Sequence, residues 1–138
     1  MPVSHTIDTA RCRVQTTCTG TITVDDILGH YETEIREGFL NYHELIDTGG
    51  VTPPYLSGTD IWRTAMTVKN ALKGQKVGPR AIIAPSDVLY GMVRIFTTIL
   101  SDDVPIRIFR DPAAAATWLE TWSETFANTA WECMEATD

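Results

Sequence analysis

Three predicted strands end on side chains that can bind or polarise a ligand: Asp47-Thr48, Ser86-Asp87 and Arg110-Asp111. In an open sheet of parallel strands, ligands collect beyond the strand carboxyl ends, where loops meet the free N–H groups of helix N-termini. Tyr55 and Ser57 come from the loop after the Asp47 strand, and Tyr90 from the helix after Asp87. Asp47, Tyr55, Ser57, Ser86, Asp87, Tyr90 and Arg110 therefore form a candidate ligand or interaction site. The same residue types have a plainer use. Ser57, Ser86, Asp87 and Asp111 are all good N-caps, and capping is the expected role of each.

Catalytic patterns are thin. His43 and Asp47 could share a strand face, with Tyr90 as a third polar group, but no activated Ser or Cys completes a triad by motif. There is no P-loop, and no GxGxxG follows a strand. His5, His30 and His43 are scattered, none paired with another at i,i+4 or set beside a cysteine at ligand spacing, so no metal centre is expected. No catalytic residue and no cofactor follow from these patterns. Glu32, Glu34 and Glu37 read as a solvated helix face. Cys12, Cys18 and Cys133, an odd count without CxxC spacing, favour free thiols in a reducing cytoplasm.

The elements that must position these residues are read from periodicity. Ala10 to Thr23 suggests a strand with Cys12, Val14, Thr16 and Cys18 on one face, a turn near Thr19-Gly20, and a short second strand. Thr23 with Asp26 makes a capping box for a helix carrying Ile27, Leu28, Tyr31 and Ile35, stopped by Gly38. Leu40 to Thr48 predicts a strand ending at Asp47. A helix follows from Ser57, with Ile61, Ala65, Val68 and Leu72 on one face, widened by Trp62 and Met66. Lys69, Lys73, Lys76 and Arg80 gather near its end, where they complement the helix dipole. Ala81 to Ala84 is a short apolar strand of the kind covered on both faces. Ser86 or Asp87 opens a third helix bearing Leu89, Met92, Val93 and Phe96. Ile106 to Phe109 is the last strand, and Asp111-Pro112 starts a fourth helix with Trp118, Leu119, Trp122 and Phe126.

The run Ile82-Ile83-Ala84-Pro85-Ser86-Asp87, with Tyr90-Gly91-Met92, Arg94 and Phe96, and then Ile106-Arg107-Ile108-Phe109-Arg110-Asp111-Pro112 with Trp118-Leu119, resembles the SpoIIAA-like small single-domain proteins related to STAS domains. The resemblance covers residues 10–120, its specific part 80–120. It implies a STAS-like α/β fold with a mixed, mostly parallel sheet of four or five strands and four helices. In that reading residues 121–138 are a helical extension of the one domain. STAS-fold anti-sigma-factor antagonists carry a phosphorylated serine at the start of the second helix, in a motif of the type Asp-Ser-Ser-Gly or Asp-Ser-Thr-Gly. Ser57-Gly58 matches that position, so the resemblance makes Ser57 a candidate phosphoacceptor. The acid before the serine is absent, with Pro53-Pro54-Tyr55 preceding Leu56, and a helix cap is the expected role.

Composition sets the remaining bounds. At 138 residues, 43% hydrophobic and 21% charged, the chain fits one globular domain. A net charge of -7 argues against a nucleic-acid partner, whose phosphates call for Lys and Arg. No apolar run reaches the ~20 residues of a membrane span, and no secretory signal is visible. The expectation is a soluble cytoplasmic, non-enzymatic regulatory or protein-interaction module. It is read as a homodimer through Trp122, Phe126 and Trp131, whose aromatic area exceeds what the sheet needs. A carrier or sensor of a small apolar, lipid-like ligand is the alternative, by analogy of fold, and a small enzyme is the least favoured.

Overall fold

Strand β1 (Val3–Asp8) and strand β2 (Arg13–Gly20) open the chain as an antiparallel hairpin in a computed structural model that describes residues 2–125. The hairpin turns over Thr9–Cys12, where Cys12 takes a positive φ of 53°, and not at Thr19-Gly20 as the sequence suggested. The sheet thus begins at Val3, ahead of the boundary at residue 10. The four-residue segment before β2 supplies the turn, so Thr19-Gly20 stay within the strand. The alternation within β2 holds, with Val14 and Thr16 buried and Gln15 and Thr17 exposed.

The remaining elements are α1 (Val24–Glu37), β3 (His43–Val51), α2 (Gly58–Leu72), β4 (Arg80–Ile83), α3 (Asp87–Leu100), β5 (Ile106–Phe109) and α4 (Pro112–Thr125). The strands lie in the order β1-β2-β3-β4-β5, the last four mutually parallel. This is an α/β fold with a five-stranded mixed sheet and four helices.

Local signals explain most of the helix ends. Thr23 and Asp26 close a capping box on α1, and Gly38, at φ 81°, ends it in the left-handed region that glycine enters without strain. The side chains of Ser57, Ser86 and Asp111 accept from the backbone N–H groups of Asp60, Leu89 and Ala114, opening α2, α3 and α4.

Side chains alternate across the sheet, so the register decides what each layer meets. Tyr31, Val68, Leu72, Leu100 and Val104 form a core between α1, α2, α3 and one sheet face. Ala81, Ile83, Ala115 and Leu119 form a second core under α4 on the opposite face, with Leu45, Phe109 and Trp118 packed on it. Ile83 and Phe109 therefore meet α4, while Ile82 faces Val93 and Phe96 of α3. Two amphipathic readings are corrected. Trp62 is 53% exposed and does not widen the buried face of α2, and Ile35 lies at the surface while Glu34 is buried. Trp122 packs against Trp118 in a tilted pair, with 5.7 Å between ring centroids. Phe126 and Trp131 of the dimer reading lie outside the described residues.

Candidate functional site

Register places two rows of side chains side by side on the sheet face under α1–α3. In one row Val14 of β2 pairs with Glu44 of β3, Glu44 with Arg80 of β4, and Arg80 with Ile106 of β5. Two residues on, Thr16, Ile46, Ile82 and Ile108 make the next row across the same strands. The first row carries charge and the second is mostly apolar. Helix α1 lies over them and contributes His30 and Glu34, one turn apart.

The charged row is a buried ion-pair network. Glu34, Glu44 and Arg80 are each 0% exposed. His30 Nε2 lies 2.7 Å from Glu44 Oε2 and 2.8 Å from Glu34 Oε1. Arg80 donates through Nη2 to Glu34 Oε2, and through Nη1 to the carbonyls of Tyr42 at 3.1 Å and Gly78 at 2.9 Å. Its Nε lies 3.5 Å from Glu44 Oε1, an ion pair without hydrogen-bond geometry. The Thr16 hydroxyl donates to Glu44 Oε2 at 2.5 Å. Glycine is required beside this network. A Cβ on Gly78 would stand 2.3 Å from the Tyr42 carbonyl oxygen that receives Arg80.

Burial and neighbours push the three titratable groups apart. For Glu44, burial works against ionisation, but hydrogen bonding from His30, the Arg80 charge and Thr16 overcome it and hold the carboxyl down at about 2. For His30, burial opposes the charge, and the two carboxylates outweigh it, raising the imidazole to about 10. Glu34 is raised to about 7, chiefly by burial and next to the Glu44 charge, with Arg80 and His30 pulling the other way. Arg80 is held charged by Glu34 and Glu44 despite its burial. Above about pH 7, with Glu34 ionised, two cations face two carboxylates and the buried charges balance.

His30, Glu34 and Glu44 bring donor atoms within 4.8 Å of one another, a set of residue types that could hold a metal ion. Two observations favour a proton there. The 2.7 Å His30–Glu44 contact is a hydrogen bond and the 2.8 Å contact to Glu34 Oε1 an ion pair, whereas donors in a tetrahedral zinc shell with bonds of ~2.0–2.1 Å stand about 3.3 Å apart. Arg80 also supplies the positive charge that an ion would otherwise bring.

Above the apolar row lies a cavity of about 140 Å³. Ile46 and Ile82 form its floor, with Thr16, Cys18 and Thr48 at the same level. Ile27, His30 and Tyr31 of α1, Ile61 of α2, and Leu89, Met92, Val93 and Phe96 of α3 form its walls. Its surface is almost entirely carbon, because the polar side chains turn their heteroatoms elsewhere. Thr16 and His30 are engaged with Glu44, and the Thr48 hydroxyl donates to the Ile83 carbonyl at 2.7 Å. Cys18 is a free thiol that burial, aided by Glu44, raises to about 12. Cys12, expected free, is disulfide-bonded; an odd count forbids pairing all three cysteines but not two. Tyr55, 37% exposed, stands where the cavity meets solvent.

Of the residues expected at the strand ends, only part assembles. Arg110 Nη1 lies 2.7 Å from Asp87 Oδ1, and its guanidinium lies 4.5 Å from the Tyr90 ring centroid. Arg110 and Asp87 are exposed, and Tyr90 is half-buried. Ser57 and Ser86 are spent as caps, and the Asp47 carboxylate accepts from the Gly49 N–H at 2.8 Å. Tyr55 alone of the seven reaches the cavity. His43 and Asp47 alternate with Glu44 and Ile46 and so point to the α4 side, while Tyr90 sits on α3 across the sheet. These three are not brought together.

Sequence reasoning missed His30, Glu34, Glu44, Arg80 and Thr16. Glu34 was assigned to a solvated face and Arg80 to a helix-end basic group; both are fully buried. Phase was the available signal. Glu34 falls three residues after Tyr31 on the apolar face of α1, and Glu44 alternates with Ile46.

Comparison with protein-family models and with curated proteins gives no match in either case. Among the described residues, no helix is long and apolar enough to cross a membrane.

Proposed function

We propose that this chain is a STAS-like module that binds a small apolar ligand between its sheet and helices α1–α3, as a sensor or carrier. The observation that carries the reading is the cavity of about 140 Å³ with a carbon surface. Well-packed interiors leave few voids larger than a water molecule, and an apolar void forfeits contacts its lining would otherwise make. A concave apolar surface of this size, open to solvent at Tyr55, leaves its lining short of contacts that a bound ligand supplies. The STAS-like assignment is supported by the element order, a hairpin with a helix and then three strand–helix units. A binding role fits better than catalysis because His30, Glu34, Glu44 and Arg80 are engaged with one another, and the thiol at the cavity, Cys18, is held protonated by burial. Exposed Trp62 and Val88, on two helices that also wall the cavity, favour a regulatory partner that reads occupancy.

The test is methyl NMR on the purified protein with a panel of small apolar compounds. Shifts confined to Ile27, Ile46, Ile82, Leu89 and Val93 are expected on binding. Binding that shifts only surface methyls, or none at all, would remove this reading.

A further inference from the structure

The dimensions and wall chemistry of the cavity restrict its occupant further than "apolar", an inference that rests on the reading just proposed. We infer that the site takes a neutral molecule of about six to eight non-hydrogen atoms, such as a single aromatic ring or a short branched hydrocarbon, and excludes fatty acids and other anions.

Size is the first argument. A cavity of about 140 Å³ is close to the ~150 Å³ engineered apolar cavity that holds benzene. It is well below the ~300–1,000 Å³ of pockets for drug-sized ligands. A long acyl chain exceeds that volume and would leave most of its carbons outside, past Tyr55, where the cavity meets solvent.

Charge is the second argument. A carboxylate entering the cavity needs donors to replace its water, and desolvating it unpaired is expensive. The nearest cation is His30, whose Nε2 already lies 2.7 and 2.8 Å from two carboxylates. Those carboxylates, Glu34 and Glu44, are themselves fully buried behind it and repel a third. Arg80 is turned to Glu34, Tyr42 and Gly78. Thr16 and Thr48 direct their hydroxyl hydrogens to Glu44 and to the Ile83 carbonyl. The charged and hydroxyl groups beside the network are thus already engaged, and the remaining hydroxyls of the lining, those of Tyr31 and Tyr55, carry no charge to balance an anion. A neutral hydrocarbon asks for none, and gains from leaving water in proportion to its apolar area.

The wall also contains a reporter. Cys18 lines the cavity with a free thiol, so a small uncharged thiol reagent such as methyl methanethiosulfonate must enter the same space to reach it.

The experiment compares toluene, benzoate and dodecanoate, each added to the full chain, by methyl NMR and by protection of Cys18 from that reagent. Toluene should shift the cavity methyls and slow Cys18 modification. Benzoate should bind at least ~100-fold more weakly, the factor that an unpaired buried charge implies, and dodecanoate should leave cavity methyls unmoved. Val93→Phe, which fills the space with a larger side chain, should weaken toluene tenfold or more. Its folding is checked by the unchanged methyl spectrum of the α4 face. Benzoate or dodecanoate shifting the Ile46 and Ile82 methyls would overturn the inference about ligand class and leave the apolar-ligand reading standing. Failure of all three probes to move any cavity methyl or to protect Cys18 would overturn both.

Discussion

Removing the Arg80 side chain tests the buried network directly, and Arg80→Met is the cleanest way because methionine keeps much of the volume. The guanidinium is fully buried and gives hydrogen bonds to Glu34 and to the carbonyls of Tyr42 and Gly78. Its loss leaves two buried carboxylates facing one imidazolium. Breaking a buried pair from one side typically costs ~3–5 kcal/mol. Against a domain stability of ~5–15 kcal/mol, that is enough to leave the variant marginal. The cost has a pH signature. Arg80 is a main influence holding the Glu34 carboxyl down, so without it that carboxyl rises above its present value of about 7. Glu34 in the variant then takes up a proton near neutrality, and the variant should be less destabilised at pH 5.5 than at pH 8.

The partner experiment is Arg80→Met with Glu34→Leu. Removing both charges leaves His30 with Glu44, a balanced pair, and replacement of a buried ion pair by apolar side chains is often neutral or stabilising. The double variant should recover most of the loss. Urea unfolding followed by circular dichroism, extrapolated linearly to water, gives each value. The reasoning fails if Arg80→Met costs under ~1 kcal/mol, or if the double variant is no more stable than the single one.

Wild-type stability should decline as pH rises from 6.5 through 10. His30 is raised from 6.5 to about 10, so its contribution is complete below 6.5 and lost as the folded protein releases that proton. The raised Glu34 starts the decline lower, its contribution being complete below 4.5 and lost through about 7. Glu44 acts in the opposite sense: it is depressed to about 2, and its contribution disappears as pH falls from 4.5 towards that value. Unfolding of His30→Gln across pH 6–10 should show a flatter slope, and an unchanged slope would exclude His30 as its source. Gly78→Ala places a Cβ against the Tyr42 and Asn41 carbonyls and should cost ~3 kcal/mol or more; near-wild-type urea stability would contradict that contact. Ser57→Ala should cost about 1 kcal/mol through the lost α2 cap, while Ser57→Asp should be tolerated. Stoichiometric phosphate on Ser57 in protein from its native cell would assign that serine a second role.

Legibility in the sequence followed the range of the forces involved. Caps are local, and Thr23, Gly38, Ser57, Ser86 and Asp111 were readable because each acts within a few residues of itself. The parallel strands β4 and β5 were readable from apolar runs between those caps, whereas β3, expected from Leu40 to an end at Asp47, runs from His43 to Val51. The β1 turn was missed because Val3–Asp8 is an edge strand, half-exposed and rich in polar residues, with little hydrophobic pattern to mark it. The buried network was missed for a different reason. Glu34, Glu44 and Arg80 are separated by 10 and 36 residues, and single-residue chemistry assigns each to the surface. Only register makes Glu44 and Arg80 neighbours, and only the docking of α1 adds His30 and Glu34.

That dependence on register also explains why cavity and network adjoin. Glu44 and Ile46 are two residues apart on β3, and Arg80 and Ile82 are two apart on β4, so charge and apolar surface follow each other along the same pair of strands. His30 belongs to both, its Nε2 in the network and its ring on the cavity wall. Helix α1 is therefore held to the sheet by ion pairs at one point, while beside it the sheet face leaves an apolar cavity open to solvent at Tyr55. Had Glu44 and Arg80 been apolar, close packing at that point would serve equally well for stability. What the ion pairs add is a fixed direction: each carboxylate has one set of donors, so α1 docks in a single register and the walls beside it keep their spacing. A ligand site of about 140 Å³ needs walls that do not collapse inward. Loosening α1, as in Arg80→Met, should therefore weaken toluene binding as well as stability, whereas Ser57→Ala, which acts at the α2 cap, should reduce stability with little change in affinity. Measuring both quantities on both variants separates the two effects. Equal losses of affinity in the two would mean that the cavity follows overall stability and that the network has no part in shaping it.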